Sequence, residues 1–355
     1  MQTDKLLPSR ERFREAVYAR DRHRCVRCGA SGVPLDAHHI LERKLWPDGG
    51  YYLSNGATLC GACHMLAEQT DLGVEEVRRL CGITRAVVPS QFHEDERIDK
   101  WGNPILPNKQ RLRGELFWDD GVQTALAAHL HLFTRFVKPP RTFHLPSSQG
   151  RTQDDVGLSE ADLSYLSDRR VVITEKLDGE GTTIWGPDGY AHARSTDPLR
   201  RHPSRGRVKA LAERIGRDIP KDWRVVGENV TAMHSIHYTH LAPHEHWYFR
   251  PFGIWDERNR CLPWDETEEW CEMLGLLPVP VLYRGRFDHS VLRTLPYDAG
   301  TNGDEREGFV VRDEEGFPFA LHRRAVAKYV RTGHNQCGDD WESRPVVYNR
   351  PAGSP

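Results

Sequence analysis

Two hydrophobic rhythms run along this chain. In residues 10–23 (RERFREAVYARDRH), Phe13, Val17 and Tyr18 fall at helical spacing among charges, predicting a short amphipathic helix. Residues 25–64 break into turn residues and short apolar stretches. Residues 65–84 set Met65, Leu66, Leu72, Val74, Val77 and Leu80 on one rough stripe, which predicts another helix. From 88 to 118 the chain is polar, proline-containing and poorly periodic, as an extended linker would be. VQTALAAHLHLFTRF (122–136) then predicts a bridging helix. Beyond residue 137, strand-like runs appear at VVITEKL, TTIW, RVVGENV, HWYFRPFGIW, VPVLYR, GFVVR and FPFALH, with helices near 206–216 and 265–274. Strands and helices intermix without a βαβ rhythm, so the class expected is α+β. The divisions expected are 1–87, a linker and bridging helix over 88–134, and a second domain over 135–355.

Composition narrows the partners. A length of 355 residues suits two domains, and a net charge of −2 gives no global attraction to polyanions. Any nucleic-acid contact must be local. One strip, HARSTDPLRRHPSRGRVKALAERIGR, carries Arg194, Arg200, Arg201, Arg205, Arg207, Lys209, Arg214 and Arg217 against only Asp197 and Glu213. It suits a phosphate backbone, or it is a solvated helix face. No apolar run approaches the roughly 18 residues of a membrane span, and the N-terminus lacks a signal-peptide core, so a cytoplasmic protein with no membrane partner is expected. Oligomeric state is not encoded in any pattern found.

Four of the eight cysteines form two C-x-x-C pairs, Cys25/Cys28 and Cys60/Cys63, with 31 residues (29–59) between them. Four thiolates suit a structural, tetrahedral Zn2+. The remaining thiols (Cys81, Cys261, Cys271, Cys337) are scattered, as in a reducing compartment. Histidines inside the knuckle point to chemistry. His38 and His39 are adjacent, so on a strand they project to opposite faces, one toward a metal and one toward a water. Phosphodiester hydrolysis needs both a base and a divalent cation.

The pattern DAHHI…LSNGATLCGACH resembles an HNH nuclease of the ββα-metal, four-cysteine zinc type. The resemblance implies His39 as base, Asn55 as its orienting residue, and His38 and His64 as ligands to a catalytic divalent ion. Glu68 stands where a further histidine ligand is often found, and it suits a hard cation such as Mg2+.

A second ordered series begins at Glu175-Lys176-Leu177-Asp178-Gly179 and continues through Arg194, Glu228, Trp255-Asp256, Glu307 and Lys328. It resembles the covalent nucleotidyltransferases, and within them the ATP-dependent RNA ligases, over roughly 135–345. The family's chemistry places AMP on a lysine, passes it to a 5′-phosphate, and lets a 3′-hydroxyl displace it. By resemblance Lys176 is the nucleophile, Glu175 reads adenine, Arg194 contacts phosphate, Glu228 holds the ribose, Trp255 stacks on the base, Glu307 supports metal or nucleophile, and Lys328 reaches the α-phosphate. A free lysine has a pKa of about 10.4, so burial and neighbouring cations are expected to lower that of Lys176. The family's last motif often has two lysines spaced K-x-K, but Val326 leaves only Lys328 here. The lead-in RTFHLP and the ending KYVR-x-x-H, with His334, resemble a bacterial branch.

These expectations combine into one chain with two activities: an HNH cutter using Zn2+ and Mg2+ (or Mn2+) on DNA or RNA, and an ATP-dependent sealer of RNA ends or nicks. Only 27 residues follow Lys328 (355 − 328), too few for the OB domain that DNA ligases usually append, which favours RNA. A non-cleaving zinc module that targets nucleic acid, and a transferase acting on some other acceptor, stay open at this point.

Overall fold

Alternation along five strands builds one sheet with a core face and a chemical face. β4 (Arg170–Lys176), β10 (Val281–Arg286), β11 (Gly308–Asp313), β13 (Val326–Val330) and β3 (Phe143–His144) lie in the order β10-β4-β11-β13-β3. All neighbours are antiparallel except the parallel pair β13–β3. Val171, Ile173, Phe309, Val311, Ala327 and Tyr329 point into one buried cluster with Leu158, Leu163 and Leu166. Residues of opposite parity, Thr174, Lys176, Val310, Arg312, Val326 and Lys328, line a pocket on the other side.

The computed structural model describes residues 5–41, 43, 46, 48–68, 72–84, 87, 110–113, 115–118, 133–137, 139–152, 155–158, 160–167, 169–194, 201–239, 241–295, 306–334 and 345–353. The chain divides into two compact units, Met1–Lys138 and Pro139–Pro355. Most of the expected 88–134 linker, and the bridging helix over 122–136 as far as residue 132, fall outside the described residues.

In the second unit a further sheet runs β12-β9-β8-β7-β5-β6, from β5 (Glu180–Trp185), β6 (Tyr190–His192), β7 (Arg224–Asn229), β8 (Phe249–Trp255), β9 (Arg260–Cys261) and β12 (Phe317–Pro318). Ile184, Val225 and Ile254 pack beneath two helices, Gly206–Ile215 and Trp264–Met273, which bury Val208, Leu211, Ile215, Trp264 and Cys271. Each fully buried aliphatic or aromatic side chain contributes about 1.5–3 kcal/mol, so this cluster anchors the unit. The class is α+β with antiparallel sheets, as the intermixed pattern implied. FPFALH departs from expectation: only Phe317–Pro318 is strand, and the rest turns through 3-10 and helical residues as far as Ala325. Tertiary contacts made by Phe317 and His322 on Trp255 outweigh the local strand pattern.

The first unit is built as helix, hairpin, helix. α1 (Arg10–Arg20) is capped by Ser9, whose side chain accepts from the Arg12 N–H at 3.3 Å, and it buries Phe13 and Val17. β1 (Leu35–His39) pairs antiparallel with β2 (Gly56–Cys60), and α2 (Gly61–Glu68) follows at once. The stripe over 65–84 is two helices rather than one. α3 (Val74–Leu80) starts afresh after Gly73, whose extended backbone (φ −72°, ψ 156°) ends the approach. Among the described residues no helix is long and apolar enough to cross a membrane.

Candidate active sites

In the first unit the cysteines converge as their spacing demands. Cys25 and Cys28 lie on the turn after α1, Cys60 ends β2, and Cys63 sits in the first turn of α2. Their four sulfur atoms lie within 4.8 Å of one another, with Cys28 and Cys60 Sγ at 3.7 Å. Burial penalises the Cys25 thiolate, yet N–H groups of Cys28, Cys60 and Arg27 outweigh that and bring its pKa down to about 7. A donor set of four thiols, one already solvated by backbone N–H groups, fits Zn2+.

The hairpin sends the two histidines apart. His38, 3% exposed, faces α2, where its Nδ1 lies 3.3 Å from Glu68 Oε1. Glu68 Oε1 is also 3.3 Å from His64 Nε2, and the three side chains form a group able to hold a cation. His39, on the other face, stacks on Phe13 with ring centroids 4.6 Å apart at 22°. Room for that stack comes from Gly56, opposite His39 in register: a Cβ there would meet Val17 at 2.3 Å and Phe13 at 2.8 Å. Asn55 is buried, but its amide binds backbone. Its Oδ1 accepts from the Leu41 N–H at 2.8 Å, and its Nδ2 donates to Leu41 O and Gly50 O. These bonds fix the backbone at Leu41, two residues past His39.

Asp36 carries no role in the sequence pattern, yet it stands two residues before His38 on the same face of β1, and its Oδ2 is 3.1 Å from His64 Nδ1. Arg10, Arg14 and Arg43, equally unmarked in the sequence, line with it an open cleft of about 670 Å³. Only periodicity along β1 could have signalled Asp36.

In the second unit the chemical face of the five-stranded sheet and one face of the second sheet enclose about 190 Å³. Lys176, Glu175, Glu228, Trp255 and Lys328 all line it. Thr174, Val310 and Lys328 stand in one cross-strand row, so Lys176, two residues past Thr174, shares their face. Glu307 closes on Lys176, with Oε2 2.6 Å from Nζ. Its other oxygen lies 3.6 Å from His334 Nε2.

Asp178 organises the loop beyond. Its Oδ2 accepts from Ser235 N (2.8 Å), Ser235 Oγ (2.6 Å) and Ile236 N (3.0 Å), while its own N–H donates to Tyr238 Oη at 2.6 Å. Gly179 is required by a close approach to β7. A Cβ there would lie 2.5 Å from Asn229 O.

The electrostatics correct one expectation. Burial does press the Lys176 ammonium toward neutrality, but Glu307 and Glu228 beside it prevail and hold its pKa above the ordinary lysine value. Burial, helped by the charges of Glu307 and Asp178, pushes Glu228 up to about 8. Lys328 is displaced downward, by burial and then by Lys176. A chain of groups unseen in the sequence stands behind Lys328. Asp155 Oδ1 is 3.8 Å from its Nζ and 3.3 Å from His144 Nε2, and His144 Nδ1 is 2.8 Å from Ser148 Oγ.

Two expected contacts look different in place. Trp255, 6% exposed, is a wall rather than an open face: His322 lies nearly parallel to it at 6.2 Å and Arg224 stands 4.8 Å from its centroid. Phe252, partly buried, and Phe317, buried, are further aromatics lining the pocket. Arg194 is exposed just past β6 and is not among the pocket-lining residues. The cationic strip is partly neutralised by carboxylates from elsewhere. Arg205 is buried against Glu180, with Nε 3.0 and 2.9 Å from its oxygens, and Arg214 pairs with Glu245 at 3.0 Å.

Two family models match this chain. The model described as RNA ligase matches residues 169–330, and the model described as HNH endonuclease matches residues 25–69. The ligase segment thus holds Lys176, Glu228, Trp255, Glu307 and Lys328, and the HNH segment holds the four cysteines, His38, His39, Asn55, His64 and Glu68. Among curated proteins no sequence relative matches. Similar solved structures include an archaeal ATP-dependent RNA ligase (20% identity, TM-score 0.40, covering 55% of this chain and 48% of that one). Others are a Naegleria gruberi RNA ligase with PPi (17%, 0.36, 59% and 69%) and a putative ATP-dependent DNA ligase from Aquifex aeolicus (18%, 0.37, 55% and 50%). The chain spans about half the length, 48%, of the archaeal protein.

Proposed function

We propose that the ligase segment joins polynucleotide ends, RNA above DNA, through a lysyl-AMP intermediate, and that the HNH segment cleaves phosphodiester bonds. The observation that carries the first half is the convergence of Lys176, Glu228 and Lys328 on one pocket, with Glu307 2.6 Å from the Lys176 amine. Those residues come from strands far apart in sequence, and a lysine so placed has few structural reasons to be there.

In the first step Lys176 Nζ, once deprotonated, attacks the α-phosphorus of ATP. An N–P bond forms, the bond to the β-phosphate oxygen breaks, and pyrophosphate leaves. Lys328, on the same face and held by Asp155, meets the negative charge that builds on the α-phosphate. A 5′-phosphate oxygen then displaces Lys176, and the 3′-hydroxyl displaces AMP from that phosphate. Glu175 and Phe252 line the pocket and suit the edge and face of a purine, and a Glu228 protonated near neutrality can donate to a ribose oxygen as well as accept. A divalent cation, Mg2+ or Mn2+, on Asp178 and Glu307 would offset phosphate charge and draw carboxylate charge away from the Lys176 ammonium.

In the HNH segment, His39 takes the proton of the attacking water. His38, His64 and Glu68 would hold the cation that offsets charge on the scissile phosphate, and the four cysteines would hold Zn2+ as a structural staple. The arginines of the cleft suit the phosphate backbone.

The test uses α-labelled ATP and Mg2+, followed by denaturation. Label on the protein, absent with GTP and absent in Lys176→Ala, is the expected result, with transfer to a 5′-phosphorylated RNA strand on chase. Label that stays on the protein whatever strand is offered would point to another acceptor. Cleavage of supercoiled plasmid and structured RNA, lost in His39→Ala, tests the other half.

A further inference from the structure

Resting on the ligase reading, we propose that His334 completes a metal site with Asp178 and Glu307, and that this nitrogen ligand makes the site select a transition-metal cation, Mn2+ or Co2+, over Mg2+.

The three residues come from separate places: the loop after β4, the residue before β11, and the chain four residues past β13. One ligand atom from each lies within 4.8 Å of the others. The His334 side chain is only 3% exposed, and its Nε2 sits 3.6 Å from Glu307 Oε1. That separation is too long for a hydrogen bond. It falls inside the span of about 3–4.2 Å between two ligands on one ion at bond lengths near 2.1 Å. The remaining bonds leave the needed atoms in position. Lys176 takes Glu307 Oε2, so Oε1 faces His334. Ser235 and Ile236 take Asp178 Oδ2, so Oδ1 is the oxygen left to serve a cation. Asp178 and Glu307 are each held by separate partners and the His334 ring is buried beside them, so the donor set is largely preorganised, as a site needs.

The donor types decide the preference. Mg2+ is hard, keeps several waters and takes carboxylate oxygens. An imidazole adds a softer donor that transition cations accept more readily. Two carboxylates alone would leave the choice to supply. His334 tilts it.

The experiment uses the full chain carrying His64→Ala and Glu68→Ala, which silences the other cation cluster in every sample. Mn2+ binding is followed by electron paramagnetic resonance without nucleotide. A directly bound nitrogen-14 should appear in the spin-echo modulation and vanish in His334→Gln. Mn2+ affinity should fall roughly tenfold or more in His334→Gln, while Mg2+ affinity, read by displacement, changes less than about threefold. Asp178→Asn should weaken both ions alike. His334→Asn serves as a second variant, with thermal unfolding confirming that each one folds. Unchanged Mn2+ affinity, or no nitrogen coupling in the parent, would overturn the proposal. Adenylylation of Lys176 is scored separately. Its absence with the nitrogen-bearing site intact sinks the ligase reading, whereas adenylylation with an unaltered Mn2+-to-Mg2+ ratio in His334→Gln sinks this inference alone.

Discussion

At the residue scale, the second unit is a study in how neighbours set a proton. Lys176 is buried enough to favour the neutral amine, but the carboxylates beside it win. Lys328 has the opposite balance. Behind it, Asp155 lies 3.8 Å from the Lys328 ammonium, so under the proposed function it would act as a positioning residue through that group. Asp155→Asn should slow adenylylation roughly 10- to 100-fold, the scale on which small misplacements act, with little change in KM for ATP; single-turnover labelling would show it. His144, fully buried against the same carboxylate, is pushed down to about 4 by burial and the Lys328 charge. In the unfolded chain its pKa is near 6.5, so between those values the unfolded state binds the extra proton. The stabilisation is therefore complete above pH 6.5 and is lost as pH falls toward 4, amounting to about 3 kcal/mol. Denaturant melts at pH 7, 5.5 and 4 should show that loss, and His144→Asn should flatten it.

At the scale of elements, the segment over 345–353 straps the loop that holds Asp178. Asn349 is the buckle: its Oδ1 accepts from Tyr238 N at 2.9 Å, its Nδ2 donates to Val230 O at 2.9 Å, and its backbone N–H bonds Thr231 O. Met233 N and Ala352 N extend the contact on either side. The family match stops at 330, so this strap lies beyond it. Asn349→Ala strands two buried backbone groups. It should lower stability by about 2–4 kcal/mol, at about 1–2 for each bond lost, measured by thermal unfolding. If the loop depends on the strap as drawn, adenylylation falls with it, and an Asn349→Ala protein with unchanged melting would refute the buckle. The sheets teach a related lesson. β4 and β11 read plainly from VVITEKL and GFVVR, because buried strands make long apolar runs. β13 was not among the expected strands, and FPFALH was, because a few residues between turns carry too little pattern to separate strand from helical turn.

At the scale of the whole molecule, two compact units, each with its own candidate site, predict separable behaviour. Cys60→Ser removes a thiol from the four-sulfur group, and in a unit with so small a core a Zn2+ held there would supply much of the folding free energy. Calorimetry should show the transition of the first unit weakened or lost, cleavage abolished, and Lys176 labelling preserved. Loss of labelling in that variant would contradict independence.

The sequence by itself determined the chemistry on offer: four cysteines paired for a soft metal, adjacent histidines forced to opposite faces of a strand, a lysine at the end of an apolar run, and the α+β class. These are local facts, set by residue type and by the two-residue period of a strand. Only the tertiary structure decided which groups share a site. Asp36 and Asp155 are ordinary residues in the linear chain, and the runs RTFHLP and KYVR-x-x-H that contain His144 and His334 do not say which groups those histidines meet. Packing brings Asp36 to His64, Asp155 to Lys328 and His144, and His334 to Glu307. It also turns Trp255 into a wall and gives Arg205 a buried partner. Charge balance and burial are properties of three-dimensional neighbourhoods, so the proton on Lys176 could not be assigned until those neighbours were in place.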